Sequence, residues 1–148
     1  MEASNHPERK IKHTASIPFI WGMGVFFIFF DIGLELYHQI AFRLYEIPLV
    51  DRKKYIKIDR YKLDYLGVQD KINCVYCGYA NGLLKYATKI TGETEKYWCA
   101  IRHQQYEDFE EPEHEKEFIE YGDKVAFEEK FISSDKNTIK KYFKHLLH

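Results

Sequence analysis

Four side chains of the kinds that bind transition metals form two pairs, each with a spacing that is common among metal ligands. Cys74 and Cys77 are three residues apart, Gly78 follows at once, and Cys99 precedes His103 by four positions. Residues i and i+4 share one face of a helix, so Cys99 and His103 could bind one ion from a single turn. All three cysteines of the chain belong to this set. It predicts a Cys3His metal site, with zinc as the expected ion and iron as the alternative.

The first half of this set resembles a known metal-binding element. Cys74-Val-Tyr-Cys77-Gly78-Tyr79 resembles the knuckle of rubredoxins and zinc ribbons, although the second copy that rubredoxins carry is missing. The resemblance implies two thiolates on one ion, with glycine letting backbone amides turn toward sulfur. A closed shell of four ligands implies a structural role, because no position stays open for a substrate.

The helix expected between the two halves of this site determines whether they can bind one ion. Apolar residues recur at helical spacing and predict one helix over residues 82–104. If straight, that helix would hold Cys77 and Cys99 about 33 Å apart. A shared site therefore requires a hairpin, for which Gly92 is the expected break. Otherwise two chains share the sites, or the knuckle binds no metal.

A second, weaker metal candidate lies on another helix face. Asp31, Glu35 and His38 are spaced i, i+4 and i+7 and so share one face. Glu-x-x-His is the spacing used by helix-bundle di-metal proteins, but the chain has no second copy. The alternative is an acidic stripe at the membrane boundary that another protein covers.

The most apolar run of the chain extends from Ala15 to Phe30. As a helix it would be about 24 Å long, shorter than the roughly 30 Å hydrocarbon core of a bilayer. Extending it to Leu36 brings in Asp31 and Glu35. A membrane span, an interfacial helix and a buried helix of a soluble protein all fit. A membrane anchor is favoured, because so short a chain has little else with which to cover this many Phe and Ile side chains.

The residues around this run predict its ends and its orientation. Ser16 as a cap and Pro18 in the first turn predict its start, and Pro48 predicts its end. More basic residues follow the run than precede it, which places the main body of the chain in the cytoplasm. They are Arg9, Lys10 and Lys12 before the run, and Arg43, Arg52, Lys53, Lys54, Lys57 and Arg60 after it.

Charge is unevenly distributed in the remainder of the chain. Residues 106–132 contain 3 Lys against 11 acidic residues, in a chain of net charge −1. His114 and Glu95 are explained better by solvated or helix-start positions than as metal ligands. Asp123 is a predicted cap for a short helix, and Ile139 to Leu147 predict an amphipathic one. Without a clustered basic face, no nucleic-acid partner is expected.

These patterns predict a mainly α fold: one N-terminal membrane helix followed by a small helical cytoplasmic domain with a metal knuckle. The predicted parts are a polar tail (1–14), a membrane-anchoring and amphipathic helix (15–46), a connector with the metal region (47–105), and an acidic segment with a C-terminal helix (106–148).

The predicted function is that of a membrane-anchored accessory or interaction protein with a structural zinc site. Its partners would be lipid and a membrane protein that faces Asp31, Glu35 and His38. The alternative function is a membrane-tethered iron protein, either a rubredoxin-like electron carrier or an oxidoreductase that acts on lipid or quinone.

Overall fold

The computed structural model describes residues 6–132, and this part of the chain is mainly helical without β-strands. Its α-helices are α1 (Lys10–Leu44), α2 (Val68–Trp98) and the short α3 (Lys124–Phe127). The chain divides into two compact units, Met1–Ile90 and Thr91–His148. The predicted mainly helical fold is confirmed. The amphipathic helix predicted near the C-terminus lies outside the described residues. Single 3₁₀ turns occur at Pro7–Arg9, Arg52–Lys54, Arg60–Lys62 and Glu113–Glu117.

Helix α1 begins earlier than the sequence predicts. It starts at Lys10, so Ser16 and Pro18 lie inside it and the predicted start was wrong. Pro18 lacks the amide hydrogen that would bond to the carbonyl of Thr14. The helix continues through this position. The hydroxyl groups of Thr14 and Ser16 donate to the carbonyl oxygens of Lys10 and His13, at 3.0 and 2.7 Å.

The end of α1 agrees with the stop predicted at Pro48. The amide of Ile47 donates to the carbonyl of Phe42 at 2.9 Å, and the amide of Glu46 donates to Arg43 at 3.4 Å. Glu46 has a φ of 57°, the left-handed conformation that most often belongs to glycine at this position of a helix end. The chain then leaves the helix as an irregular connector (residues 45–67).

Helix α1 is long and apolar enough to cross a membrane. From Val25 to Leu44, exposed apolar side chains follow one another every three or four residues, so they share one face. They are between 54% and 76% exposed. We call this face the apolar stripe; it consists of Val25, Phe29, Ile32, Leu36, Ile40 and Leu44.

Helix α2 packs against α1 in the first unit. Phe42 of α1 and Leu83 and Ile90 of α2 are completely buried in one hydrophobic cluster, and Ile56 of the connector packs against that cluster. The connector therefore forms the third layer of this core.

Two glycines let the connector backbone approach α2. A Cβ atom at Gly82 would lie 2.8 Å from the Cα atom of Ile56, and one at Gly78 would lie 2.9 Å from the carbonyl oxygen of Lys57. The two glycines are one helical turn apart, and both face the connector. Gly78, expected to turn a metal knuckle, is an interior residue of α2 instead.

Helix α2 is longer than predicted and has no break. It begins at Val68 and passes through Gly92 to Trp98, so the hairpin expected at Gly92 is absent. A glycine is required at position 92 for a different structural reason. A Cβ atom there would lie 2.9 Å from Cγ of the His114 ring, which packs directly on the helix backbone.

The second unit is held together by one β-bridge and by a cluster of ion pairs. Ile101 and Ile119 form an isolated parallel bridge. Between them in sequence, the guanidinium of Arg102 binds both oxygens of Glu111, at 2.5 and 2.7 Å, and also contacts Glu120. Hydrogen bonding to Glu111 raises the pKa of Arg102, and the same contact lowers the pKa of Glu111.

Helix α3 starts at the predicted cap. The Oδ1 atom of Asp123 accepts the amide of Ala126 at 2.9 Å, which confirms the role expected from the sequence. A π-helical turn, Glu128–Ile132, follows, and the rings of Phe127 and Phe131 pack 5.1 Å apart.

We expect Gly82→Ala to lower the free energy of unfolding by about 1–3 kcal/mol, because the new methyl group must displace connector backbone. Denaturation followed by circular dichroism in detergent measures this. Gly33→Ala in α1 is the matched control: a Cβ atom there meets no atom within 4 Å, so stability should stay equal or rise. Equal stabilities of the two variants would contradict the close approach.

Candidate functional site

A polar network joins α1 to the connector and to α2. Both carboxylate oxygens of Asp31 accept hydrogen bonds from the guanidinium of Arg52, at 2.5 and 2.6 Å. The hydroxyl of Tyr79 donates to Oδ2 of Asp31 at 2.8 Å. Bidentate pairs of arginine and carboxylate combine strength with fixed geometry. This pair therefore fixes the start of the connector and one turn of α2 relative to α1.

The second half of the network surrounds His38, which is 1% exposed. The amide of Val50 lies 3.0 Å from Nε2 of His38, and an amide can only donate, so Nε2 is unprotonated. The neutral ring then carries its hydrogen on Nδ1, which lies 3.0 Å from the hydroxyl oxygen of Tyr86. Tyr86 donates its own hydrogen to Oε2 of Glu35 at 3.1 Å. The result is a directed chain from His38 through Tyr86 to Glu35.

The network changes the acidity of its tyrosines. Burial, followed by the hydrogen bond to Asp31, raises the pKa of Tyr79 to about 12. Burial and the hydrogen bond to Glu35 raise the pKa of Tyr86 in the same direction. The hydrogen bond to Asp31 raises the pKa of Arg52. Both phenols therefore stay protonated and donate throughout the neutral range.

The structure brings together the three residues of the weaker metal candidate, Asp31, Glu35 and His38, on one face as their spacing predicts. Sequence reasoning missed their partners, Arg52, Tyr79 and Tyr86. The partners come from distant positions. Arg52 is one of many basic residues after α1, and the chain has 12 tyrosines, so no local signal identified them. In this arrangement the polar groups bind one another, which makes the cluster a structural network.

The residues of the predicted Cys3His site lie on different elements. Cys74 and Cys77 are helical residues of α2, and Cys99 directly follows the last residue of that helix. All three thiols are free, and Cys77 and Cys99 are exposed. His103 lies beside two carboxylates, Glu95 and Glu115. Because α2 has no break between Cys77 and its end next to Cys99, the condition for one chain to hold all four ligands is not met. The Cys3His site stays a prediction in the form in which two chains share it.

An apolar cavity of about 690 Å³ lies in the first unit beside the polar network. Tyr79, which donates to Asp31, also lines this cavity, so the cavity and the network share a wall. Its lining combines aromatic and aliphatic side chains with one basic residue, and includes Trp21, Val25, Ile28, Val75, Tyr76 and Lys71.

Comparison with models of protein families, with curated proteins and with solved structures finds no match to this chain.

We expect Tyr79 to ionise near pH 12 because burial and Asp31 oppose the phenolate. Because the pKa of Tyr79 is higher in the folded state, the contribution of its protonated hydroxyl to stability is complete below the unfolded pKa, near 10. That contribution is lost as the pH rises through about 12. The stability difference between the wild type and Tyr79→Phe should therefore shrink over this interval.

Tyrosinate absorbance and denaturation across the alkaline range measure both effects. Tyr65→Phe is the control, because that ring is 77% exposed. A constant stability difference between the wild type and Tyr79→Phe up to pH 12 would contradict the raised pKa of Tyr79.

Proposed function

We propose that this chain is a membrane-anchored accessory protein, attached to the bilayer by α1. The observation that carries this proposal is the apolar stripe: a row of aliphatic and aromatic side chains on α1, each more than half exposed. Contiguous exposed apolar surface of this kind marks a site that contacts lipid or protein. The length and composition of α1 favour lipid.

The opposite face of α1 supports the same proposal. Ionisable side chains near a bilayer are costly unless they pair with one another or face protein. Asp31 and Glu35 point away from the apolar stripe, and Arg52 together with two tyrosines satisfies them. The fold thus covers the charged face with its own connector and α2, and leaves the apolar face available.

The charges flanking α1 suggest how it meets the membrane. Between Lys12 and Asp31 the helix has no Asp, Glu, Lys or Arg, and a basic 3₁₀ turn, Arg52–Lys54, lies after its end. Basic residues near the surface of an anionic leaflet contribute about 1 kcal/mol each. We place the part of the chain that follows α1 on the cytoplasmic side, as the excess of basic residues after α1 favours. An accessory role is proposed because the clustered ionisable groups on α1, Asp31, Glu35 and His38, bind Arg52, Tyr79 and Tyr86.

We expect Phe29→Lys combined with Ile32→Lys to reduce binding of the full chain to vesicles of phosphatidylcholine and phosphatidylglycerol at least tenfold. Burial of a large apolar side chain contributes about 1.5–3 kcal/mol, and each tenfold change corresponds to about 1.4 kcal/mol. Vesicle flotation measures the bound fraction.

The control for that experiment is Val125→Lys, which changes an exposed apolar residue of α3. It should float like the wild type. Equal flotation of the stripe variant and the wild type would contradict the anchor. Sidedness is tested with a Val125→Cys variant in a chain whose native cysteines are replaced by serine. Labelling of Cys at this position by an impermeant maleimide in intact cells would contradict the cytoplasmic placement.

The apolar cavity favours a second candidate function, binding of one lipid molecule from the bilayer. The cavity is large enough for part of an acyl or isoprenoid chain, and Lys71 supplies a cation at its wall for an anionic headgroup. This candidate retains the lipid-directed part of the alternative function predicted from the sequence.

We expect the chain to retain one lipid per molecule through detergent exchange, and Val75→Trp to release it by filling the cavity. Mass spectrometry of the extracted lipid measures this. Val68→Trp is the control, because Val68 is exposed on the same helix and does not line the cavity. Equal lipid content in both variants would contradict a site in the cavity.

A further inference from the structure

Three metal-ligating side chains converge in the second unit. One ligand atom each of Glu95, His103 and Glu115 lies within 4.8 Å of the other two. Donor atoms around one zinc ion, each about 2.0–2.2 Å from it, are about 3–4 Å apart. Small rotations of the exposed side chains would therefore bring all three atoms onto one ion. We propose that these three residues form a binding site for a first-row divalent cation, with zinc as its preferred occupant.

Glu115 is the central observation for this site. Its side chain is 1% exposed, although a carboxylate is among the groups least often buried. One oxygen, Oε2, accepts the amide of His103 at 3.2 Å. The other, Oε1, lies 3.7 Å from Nε2 of His103, which is too far for a hydrogen bond. The buried carboxylate is thus anchored through one oxygen and presents the other to a metal-ligating imidazole.

The basic side chains nearby are paired with other carboxylates. Arg102 binds Glu111 and Glu120, and Lys96 binds Glu117 at 2.7 Å. Among residues 6–132, the basic side chains with a nitrogen within 4.0 Å of the Glu95 or Glu115 carboxylate are His103 and His114. Buried carboxylates are normally paired or coordinate metals. A divalent cation would supply the positive charge that arginine and lysine supply elsewhere in this unit.

The backbone holds the three ligands from three separate segments. Glu95 belongs to the last turns of α2. The pairing of Ile101 with Ile119, through the amide of Arg102 to the carbonyl of Ile119 at 2.8 Å, keeps the segment with His103 beside the turn that carries Glu115. Ligands fixed by separate elements that pack together are characteristic of a formed site.

His114 provides the supporting contact that metal ligands usually have. Its Nε2 atom lies 2.8 Å from Oε2 of Glu95, so it donates to that carboxylate and orients it. The ring can reach this position because Gly92 has no side chain in its way. Two carboxylates and one imidazole leave a fourth position for water, and these nitrogen and oxygen donors suit Zn²⁺.

The test uses the full chain in mild detergent, purified without a histidine tag, with Cys74, Cys77 and Cys99 all changed to Ser. Removing the thiols separates this site from the Cys3His prediction, with which it shares His103. After treatment with a chelator, zinc binding is measured by isothermal titration calorimetry. We expect one Zn²⁺ per chain, and at least tenfold weaker binding in Glu95→Gln and in Glu115→Gln.

Glu113→Gln is the matched control, because this exposed carboxylate lies in the same turn and pairs with Lys116. It should bind zinc like the parent chain. Circular dichroism checks folding; if Glu115→Gln unfolds, the partly exposed Glu95 decides the result. Failure of the cysteine-free chain to bind one equivalent of zinc would overturn the proposal, as would unchanged affinity in Glu95→Gln.

A Co²⁺ spectrum of the wild-type chain distinguishes the two metal predictions. Absorption from thiolate ligands, together with loss of binding in the cysteine-free chain, would favour the Cys3His site and overturn this one. A spectrum without thiolate absorption that persists in the cysteine-free chain supports the carboxylate and histidine site.

Discussion

The first unit depends on the pairing of Asp31 with Arg52. A carboxylate in the middle of an apolar helix has to be neutralised, and this one is bound at both oxygens by a single guanidinium. Because Arg52 begins the connector's first 3₁₀ turn, the pair also sets where the connector starts its path. Tyr79 uses the same carboxylate, so α2 is fixed by the same charge. This ion pair thus acts together with the hydrophobic cluster, to which Phe27, Leu34 and Phe42 belong, in setting which face of α1 is covered.

The network around His38 fixes α1 against the connector and α2 at a further turn of the helix. Val50 and Tyr86 occupy both ring nitrogens of His38, which fixes the tautomer as well as the ring orientation. The hydroxyl of Tyr86 completes the chain at Glu35. Fully satisfied polar networks make a core specific, because any other helix register would leave several of these groups without partners. The apolar stripe on the other side of α1 contributes no such specificity, which is consistent with a surface that faces fluid lipid.

The sequence predicted periodic features well and tertiary contacts poorly. The helix face of Asp31, Glu35 and His38, the end of α1 near Pro48 and the cap at Asp123 all depend on local spacing, and the structure agrees with them. The glycines were misinterpreted. Gly78 and Gly92 suggested turns, yet both lie inside α2, where the connector backbone and the His114 ring approach the helix. A glycine required by a neighbour cannot be told from a glycine required by a turn until that neighbour is known.

The position of Pro18 was misjudged for a related reason. Proline is common in a first helical turn, so it predicted a start, but α1 extends a further two turns toward the N-terminus. Hydroxyl groups near the proline donate to backbone carbonyls, and the helix continues through this stretch. A proline at position 18 therefore fits both a helix that starts there and a longer helix that contains it, and only the length of the helix distinguishes the two.

His103 shows how the surroundings of a side chain change its chemical interpretation. By spacing it was the fourth ligand of a thiolate site, in which a closed shell would give the metal a purely structural role. In the structure its immediate neighbours are the carboxylates of Glu95 and Glu115. A neutral imidazole has a free lone pair on only one of its two nitrogens and so binds one ion, which means that the two sites exclude each other at His103. A cation held by two carboxylates and one imidazole would keep a position open to water and would lower the pKa of that water. The choice between these ligand sets therefore decides whether a metal in this protein is a structural element or a centre able to activate water.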